Sequence, residues 1–179
     1  ISDCLVGSEM CIRDSITVNR NYLTFNNFKV KCAIGKKGIG NKIKEGDLKT
    51  PAGQYKIKYL LYRKDRIKKI KTRLRKVIIT KKMGWCNDPK SKSYNKLIRL
   101  PFNYTYEKLF RKEHTYDLIL VLNFNMNPII KNKGSAIFIH VSKKKFNRTE
   151  GCVAITKKSL LNIIKNLRIN TKVKIENQK

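Results

Sequence analysis

The sequence predicts a single, mostly β domain, a β-rich α+β fold, with one main helix near its C-terminal end. Apolar and polar residues alternate in several short segments, as they do in half-buried strands. Polar segments that contain glycine and proline separate these candidate strands. Only residues 156–167 repeat apolar side chains at helical spacing, and Thr156 precedes them as a candidate N-cap.

The elements follow in chain order. Strands are predicted at residues 16–20, 22–25, 28–35, 54–63, 76–80, 116–124, 136–141 and 172–176. The segment 116–124 is strongly apolar, which is typical of a central strand buried on both faces. Period-2 alternation in 54–63 predicts one shared face for Tyr55, Ile57, Tyr59 and Leu61. Residues 84–96 are predicted to form a long irregular segment.

The first fifteen residues are interpreted separately from the fold. The stretch CLVGSEMCIRDS at 4–15 resembles a translated sequencing-adapter read and shows no period of a helix or strand. We therefore interpret 1–15 as a non-native segment and expect the native N-terminus, with any signal peptide, to be missing. Nothing in 16–179 has the composition of a linker, so these residues are predicted to form one domain.

The chain is strongly basic, with a net charge of +30 from 42 basic and 12 acidic residues. This charge predicts non-specific contact with polyanions. The alternative origin of the charge is compositional drift, because Lys, Asn and Ile, which are all abundant here, have AT-rich codons. No apolar run approaches the roughly 18 residues that a membrane span needs. Five cysteines without a C-x-x-C pair, and two histidines, predict no metal site.

One stretch carries candidate chemistry: IHVSKKKFNRTEGCVAI at 139–155, which holds His140 and Cys152. A cysteine reacts as the thiolate, and a nearby imidazole can take its proton and later deliver it to a leaving amine. Gly151 allows a tight turn before Cys152, where backbone N–H groups could hold an oxyanion. The alternative is a structural histidine and a buried core thiol.

Several blocks of the chain resemble the L,D-transpeptidase catalytic domain, the YkuD-type family. GSAIFIHV and TEGCVAI match its His and Ser/Thr-x-Gly-Cys elements, and KEGDLKTPAGQYKI at 44–57 is similar to an earlier block of that family. With 84–96, 106–122 and 128–141, the resemblance covers roughly residues 28–176. It implies a compact sandwich of mixed sheets with one helix.

The resemblance also implies a reaction and a location. Cys152 would be the nucleophile on a peptidoglycan stem tetrapeptide, His140 the proton donor and acceptor, and Thr149 and Gly151 the supporting oxyanion turn. D-Ala would leave, and an amine of another stem would resolve the thioester into a 3→3 cross-link. Water would instead make the chain an L,D-carboxypeptidase. No cofactor or metal is implied, and the family acts in the cell envelope or periplasm.

Four further residues are candidates for substrate binding: Trp85, Tyr116, Asn123 and Asn125. Trp85 has packing as its alternative role, as aromatic side chains often do.

The matching blocks depart from many relatives at Glu150, where those have His, and at Ala154, where those have Arg. Cys32 and Cys86 are expected to be structural thiols, or a disulfide if they are adjacent. A rival hypothesis is a non-catalytic, basic polyanion-binding protein.

Overall fold

The computed structural model describes residues 15–143, 146–169 and 171–177. Residues 1–15, which we interpret as a non-native segment, lie outside the described residues except for Ser15, the first residue of β1. The strands are β1 Ser15–Asn19, β2 Tyr22–Phe25, β3 Phe28–Lys31, β4 Ile39–Gly40, β5 Thr50–Pro51, β6 Gly53–Tyr62, β7 Lys76–Ile78, β8 Met83–Cys86, β9 Leu97–Arg99, β10 Tyr106–Lys108, β11 Leu118–Leu122, β12 Phe138–Val141, β13 Val153–Ile155 and β14 Lys172–Glu176. The α-helix α1 spans Lys157–Asn166, and a short 3-10 helix spans His114–Tyr116.

Most strands join one mixed sheet of nine strands, in the order β13-β12-β11-β6-β14-β1-β2-β3 with β7 beside β6. After β3 the chain returns to the opposite end of this sheet, where Ala33 and Ala154 exchange two backbone hydrogen bonds of 2.8 Å each. The two ends of the sheet therefore meet, and the sheet curls into a near-barrel. The predicted mostly β fold with mixed sheets and one C-terminal helix is confirmed.

Strand β11 lies in the middle of the core, and all five of its residues are buried. Leu118, Leu120 and Leu122 point to a first apolar cluster, which includes the buried face of α1. Ile119 and Val121 point to a second cluster, on the other side of the sheet. The prediction of a central strand in this segment is confirmed.

Helix α1 begins where the sequence predicts it. The Thr156 Oγ1 atom accepts a hydrogen bond of 3.1 Å from the Ser159 backbone N–H, which confirms the N-cap. The apolar spacing places Leu160, Ile163 and Ile164 on the buried face of the helix. The helix thereby covers the first cluster next to β13.

The prediction of one shared face in β6 is wrong. The register of β6 against β11 skips Lys58, the extra residue of a β-bulge. Tyr55 and Ile57 consequently pack in the first cluster, whereas Tyr59 and Leu61 pack in the second. A strict period of two cannot anticipate the bulge, because the inserted residue reverses the face of every residue beyond it.

A second, three-stranded sheet in the order β10-β8-β9 was not predicted. Strand β8 overlaps the segment 84–96 that the sequence indicates to be irregular. Its three strands have three or four residues each, which is too short for a recognisable period. This small sheet covers the second cluster and supplies one wall of the cavity described below.

Asp117 binds three elements together just before β11. Its carboxylate is 0% exposed and accepts hydrogen bonds from Arg66 (2.7 Å), from Lys157 (2.9 Å) and from the Nδ1 atom of His114 (2.8 Å). Burial alone would raise the pKa of Asp117, but these three partners hold it below its usual value. The carboxylate thus links the β6–β7 loop, the 3-10 helix and α1.

We expect Asp117→Asn to lower the free energy of unfolding by about 2 kcal/mol, because Arg66 and Lys157, which are partly exposed, lose the charged acceptor of their hydrogen bonds. Urea unfolding followed by circular dichroism measures this loss. The control is His114→Gln, since the His114 side chain is 72% exposed and should change the free energy by less than about 1 kcal/mol. Equal stability of Asp117→Asn and the wild type would contradict the linking role.

Candidate active site

The pairing of β12 with β13 brings His140 and Cys152 to one cavity. The two strands are parallel, and His140 is the register partner of Ala154. Cys152 comes two residues before Ala154, so strand alternation puts Cys152 on the same face as His140. Both side chains line a cavity of about 960 Å³, a volume typical of ligand sites.

A tight turn over residues 149–152 presents the thiol. The Thr149 hydroxyl donates to the Cys152 carbonyl at 2.5 Å and accepts the Gly151 N–H at 3.2 Å. Gly151 has a φ of +143°, and a Cβ there would lie 2.9 Å from the Lys49 carbonyl oxygen. Only glycine therefore fits at this position. The Gly151 N–H binds Thr149, so both residues shape the turn, and their expected oxyanion role stays a prediction.

The Cys152 thiol is protonated in this arrangement. Its S–H donates to the Ala136 carbonyl at 3.1 Å, and the Phe138 backbone N–H donates to the sulfur at 3.4 Å. Burial, followed by the nearby Glu107 carboxylate, raises the pKa of Cys152 to about 12. The Phe138 N–H and the cations Lys42 and Arg111 act in the opposite direction.

His140 is a neutral base with a defined tautomer. Its side chain is 6% exposed, and its Nδ1 atom lies 2.9 Å from the Val141 carbonyl oxygen. A carbonyl oxygen only accepts, so Nδ1 carries the proton and Nε2 keeps a free lone pair. Burial lowers the pKa of His140 to about 4, although the bond with Val141 favours the charged form.

Together, a neutral thiol and a neutral imidazole suit nucleophilic acyl transfer. Nε2 of His140 can take the thiol proton while the sulfur attacks a carbonyl, and can then return that proton to the leaving group. The Phe138 N–H, which donates to the sulfur, can stabilise the thiolate that such a transfer would form. The thiol hydrogen bond to Ala136 has to break first, so that the S–H can turn toward His140.

Tyr116, Glu107 and Arg111 form a hydrogen-bonded cluster next to His140. The Tyr116 hydroxyl donates to Glu107 Oε1, and Arg111 donates to the same oxygen at 2.8 Å. The Arg111 guanidinium lies 4.3 Å from the centre of the Tyr116 ring, whose edge packs against His140 at a centroid distance of 5.4 Å. Tyr116 lines the cavity, and its expected substrate contact stays a prediction; its hydroxyl is engaged with Glu107, and its ring packs against His140.

Sequence reasoning did not find Glu107 and Arg111 as site residues. Both come from the region of β10, in YEKLFRKEH, where charged residues are too frequent for any one of them to be recognised. The only signal was the similarity of block 106–122 to the family, which marks the segment but not these side chains. Their proximity to Cys152 is decided by the second sheet.

Trp85 does not line the cavity. Its side chain is 1% exposed, and its Nε1–H donates to Asn95 at 3.1 Å. Its ring packs edge-on against Phe138 at a centroid distance of 5.1 Å, which supports β12 from behind. The position of Trp85 therefore agrees with its alternative role, that of a packing aromatic side chain.

Asn123 and Asn125, which are expected to contact the substrate, are also outside the lining of this cavity. The Asn123 side-chain oxygen accepts from the Lys56 N–H at 2.7 Å and continues the pairing of β6 with β11. The Asn125 amide donates to the Ile130 and Gly134 carbonyls at 2.8 and 2.9 Å. Both side chains use their polar atoms to brace the chain between β11 and β12.

The remaining expectations concern ligands, thiols and membranes. In the part of the chain that the structure describes, no three His, Cys, Asp or Glu side chains are placed to hold a metal ion. Cys32 and Cys86 are buried free thiols, and burial raises the pKa of Cys32 to about 12. The one α-helix among the described residues is too short and too polar to cross a bilayer.

Comparison with models of known protein families shows the family of this chain. The model of the YkuD family, described as the L,D-transpeptidase catalytic domain, matches residues 14–175. The chain belongs to this family. Its members are cysteine-based enzymes that modify peptidoglycan, and they typically act in the cell envelope. The family resemblance inferred from the sequence blocks is confirmed.

Two solved structures are similar to this L,D-transpeptidase domain. One is the helical cell shape determining protein Pgp2 from Campylobacter jejuni, with 16% identity over 92% of this chain and a TM-score of 0.46. The other is the K307A mutant of Pgp2, with 17% identity over 92% of this chain and a TM-score of 0.40. The chain spans about half of these proteins, 48% and 47% of their length. No curated protein matches the chain in a sequence search.

We expect the stability of this domain to fall in acid through His140. Its pKa is about 4 in the folded state, and that of an unfolded histidine is about 6.5, so only the unfolded chain takes up this proton between the two values. Stability contributed by the neutral ring is therefore complete above about pH 6.5 and is lost as the pH falls toward about 4. The difference amounts to at most about 3 kcal/mol.

The measurement is urea unfolding of the wild type and of His140→Gln at intervals from about pH 7 to pH 4. A glutamine side chain does not titrate, so the stability difference between the two proteins should shrink as the pH falls. Parallel stability profiles over this range would contradict the assignment of a buried neutral imidazole.

Proposed function

We propose that this chain is a cysteine acyltransferase that acts on peptidoglycan stem tetrapeptides, releases D-Ala and cross-links the third residues of two stems. The observation that carries this proposal is the position of His140 and Cys152 on one cavity wall, in a chain of the L,D-transpeptidase family. Such a substrate places the protein in the cell envelope. The proposed reaction uses only side chains of the protein, without a metal or organic cofactor.

The reaction proceeds in two steps. In the first, Cys152 passes its proton to Nε2 of His140, and the sulfur attacks the carbonyl carbon of the third, diamino acid residue. The bond from that carbon to the D-Ala nitrogen breaks, and His140 gives its proton to the departing amine. In the second, an amine of another stem attacks the thioester and loses its proton through His140. The Cys152 thiol is then restored.

Charges of both signs line the cavity and suit a stem peptide, which carries carboxylates and an amine. The cations attract stem carboxylates, and the acidic groups attract the side-chain amine of the diamino acid. The exposed cationic side chains of this lining are Lys36, Lys108, Lys112, Lys143 and Arg148, and the acidic ones that line it are Glu45, Glu107, Glu113 and Glu150. Glu150 stands at the exposed rim, where many relatives have His.

Hydrolysis is the alternative outcome on the same scaffold. If water resolves the thioester, the enzyme is an L,D-carboxypeptidase and the product is a tripeptide. The departures at Glu150 and Ala154 lie on the cavity wall, where an acceptor amine would have to bind. The two activities share the first step and differ in the product.

We expect the purified protein to release D-Ala from a disaccharide tetrapeptide, and Cys152→Ala to lower the rate by at least about a thousandfold. His140→Gln should lower it by about a hundredfold or more, because the general base is lost. His114→Gln is the matched control and should keep the wild-type rate, since this side chain lies outside the cavity. Mass spectrometry of the product identifies the cross-linked dimer or the tripeptide.

Two results would contradict the assignment. D-Ala release that is undiminished in Cys152→Ala would exclude this thiol as the nucleophile. A folded wild type that yields neither dimer nor tripeptide from stems with the common diamino acids would favour the rival hypothesis of a non-catalytic, basic binding protein.

We also propose that the loop between β6 and β7 provides non-specific contact with polyanions. Ile67 and Leu74 anchor this loop in the first apolar cluster. Between and around these anchors, seven cationic side chains are exposed: Lys64, Lys68, Lys69, Lys71, Arg73, Arg75 and Lys76. The one acidic residue of the segment, Asp65, is paired with Arg63 at 2.6 Å. Acidic polymers of the envelope are the expected partners.

We expect binding of a fluorescent single-stranded oligonucleotide, used as a model polyanion, to weaken steeply between about 50 and 200 mM salt, because counterions are released on binding. The salt dependence is the slope of the logarithm of the binding constant against the logarithm of the salt concentration. Changing Lys68, Lys69 and Lys71 together to Gln should lower the magnitude of this slope by about 2, because three phosphate contacts are lost. Fluorescence anisotropy at several salt concentrations measures the slope.

The matched control neutralises three exposed lysines in the turns that precede β8 and β9, in the variant Lys81→Gln/Lys82→Gln/Lys96→Gln. This variant should keep the wild-type slope if the loop is the contact. Equal slopes for the two triple variants would show that oligonucleotide binding depends on the net charge of the whole surface and not on this loop. Binding that does not change with salt would exclude the polyanion contact.

A further inference from the structure

Lys42 is a buried cation that the reaction above does not use. It lies between β4 and β5, is 4% exposed, and is the only buried lysine among the residues that the structure describes. Lysine is among the residues that are most rarely buried, because transfer of an unpaired ammonium from water is costly. In a chain with this many exposed lysines, its burial indicates a specific environment.

Asp47 holds the Lys42 ammonium in place. The Lys42 Nζ atom lies 2.5 Å from Asp47 Oδ1. The same carboxylate accepts the backbone N–H groups of Ile43 and Lys49, each at 3.0 Å. Burial would raise the pKa of Asp47, but these bonds hold it below its usual value, so the carboxylate is ionised. A carboxylate with three partners fixes the position of the cation.

The Lys42 side chain runs beneath the turn that carries the thiol. A Cβ added at Gly134 would lie 2.4 Å from Lys42 Cε, and one added at Gly151 would lie 3.7 Å from Lys42 Nζ. Gly151 directly precedes Cys152 in this turn. Lys42 lines the same cavity as Cys152, whereas Asp47 does not, so the positive end of the ion pair lies on the cavity side.

We propose that Lys42 is a positioning residue for the Cys152 thiolate: its ammonium, held by Asp47 beneath Gly151, stabilises the negative charge that forms on the sulfur. This inference deepens the proposed function and rests on Cys152 being its nucleophile. Lys42 acts through the turn and through its electric field, without contact with the substrate.

The other charged and titratable groups around the thiol act differently. Glu107, on β10, opposes the thiolate, and Arg111 favours it. The Arg111 guanidinium, however, is paired with that same Glu107 carboxylate at 2.8 Å, which offsets its charge. Tyr116 and His140 are neutral groups at neutral pH. Lys42 is therefore the cation near Cys152 whose counter-ion lies off the cavity wall.

The experiment measures alkylation of Cys152 by iodoacetamide across about pH 7 to pH 9, with peptide mass spectrometry to separate it from the other cysteines. We expect Lys42→Met to slow alkylation of Cys152 by about tenfold at each pH, the change that follows when its pKa rises by about one. Lys37→Met, which removes an exposed lysine outside this cavity, is the control and should keep the wild-type rate.

The double variant Lys42→Met/Asp47→Asn separates this role from a structural one. It removes both charges, so it should regain most of any melting temperature that Lys42→Met loses, yet its alkylation should stay about tenfold slower than in the wild type. Alkylation of the double variant at the wild-type rate would overturn the proposal. Lys42→Arg keeps the charge and should keep at least about half of the rate; a tenfold loss in this variant would also overturn it.

This readout does not depend on a peptidoglycan substrate. If the wild type released no D-Ala but Lys42→Met and the double variant still slowed alkylation, the electrostatic role of Lys42 would stand and the proposed reaction would fall. If D-Ala were released and the double variant were alkylated like the wild type, the reaction would stand and the role of Lys42 would fall.

Discussion

The parallel pairing of β12 with β13 is the constraint on which the candidate site depends. It places His140 beside Ala154, and so brings Cys152, two residues earlier, to the same face of the sheet. Strand β13 would be an exposed edge, but Ala33 covers it with two backbone hydrogen bonds. The closure that makes the sheet a near-barrel therefore also holds the strand that follows the thiol. Fold stability and site geometry share one set of bonds.

Burial has opposite effects on the two reacting groups, and both effects keep them neutral. It raises the pKa of the Cys152 thiol and lowers that of the His140 imidazole. A preformed ion pair is therefore disfavoured, and in the proposed reaction the sulfur would become an effective nucleophile only as its proton moves to Nε2. The groups that can ease this step are the Phe138 N–H and the cations near the turn, while Glu107 resists it. Reactivity in this cavity is a balance of fixed charges around two desolvated groups.

The sequence predicted the regular parts of the fold where the pattern is long or chemically specific. The alternating segments became strands, the apolar segment around β11 became the central one, and Thr156 caps the helix as its hydroxyl and position indicate. The errors have local physical causes. One inserted residue, Lys58, reverses the face of the rest of β6, and the strands β8, β9 and β10 are too short to show a period.

By itself, the sequence determined the fold class, the family and the candidate pair His140 and Cys152, because periodicity and the motif around Gly151 are properties of neighbouring residues. Only the tertiary structure decided which other side chains surround the thiol. Glu107 and Lys42 reach it from other elements of the fold, and Trp85, Asn123 and Asn125 turn away to brace the chain. Burial and charge at a site are sums over neighbours in space, and distance along the chain does not reveal those neighbours.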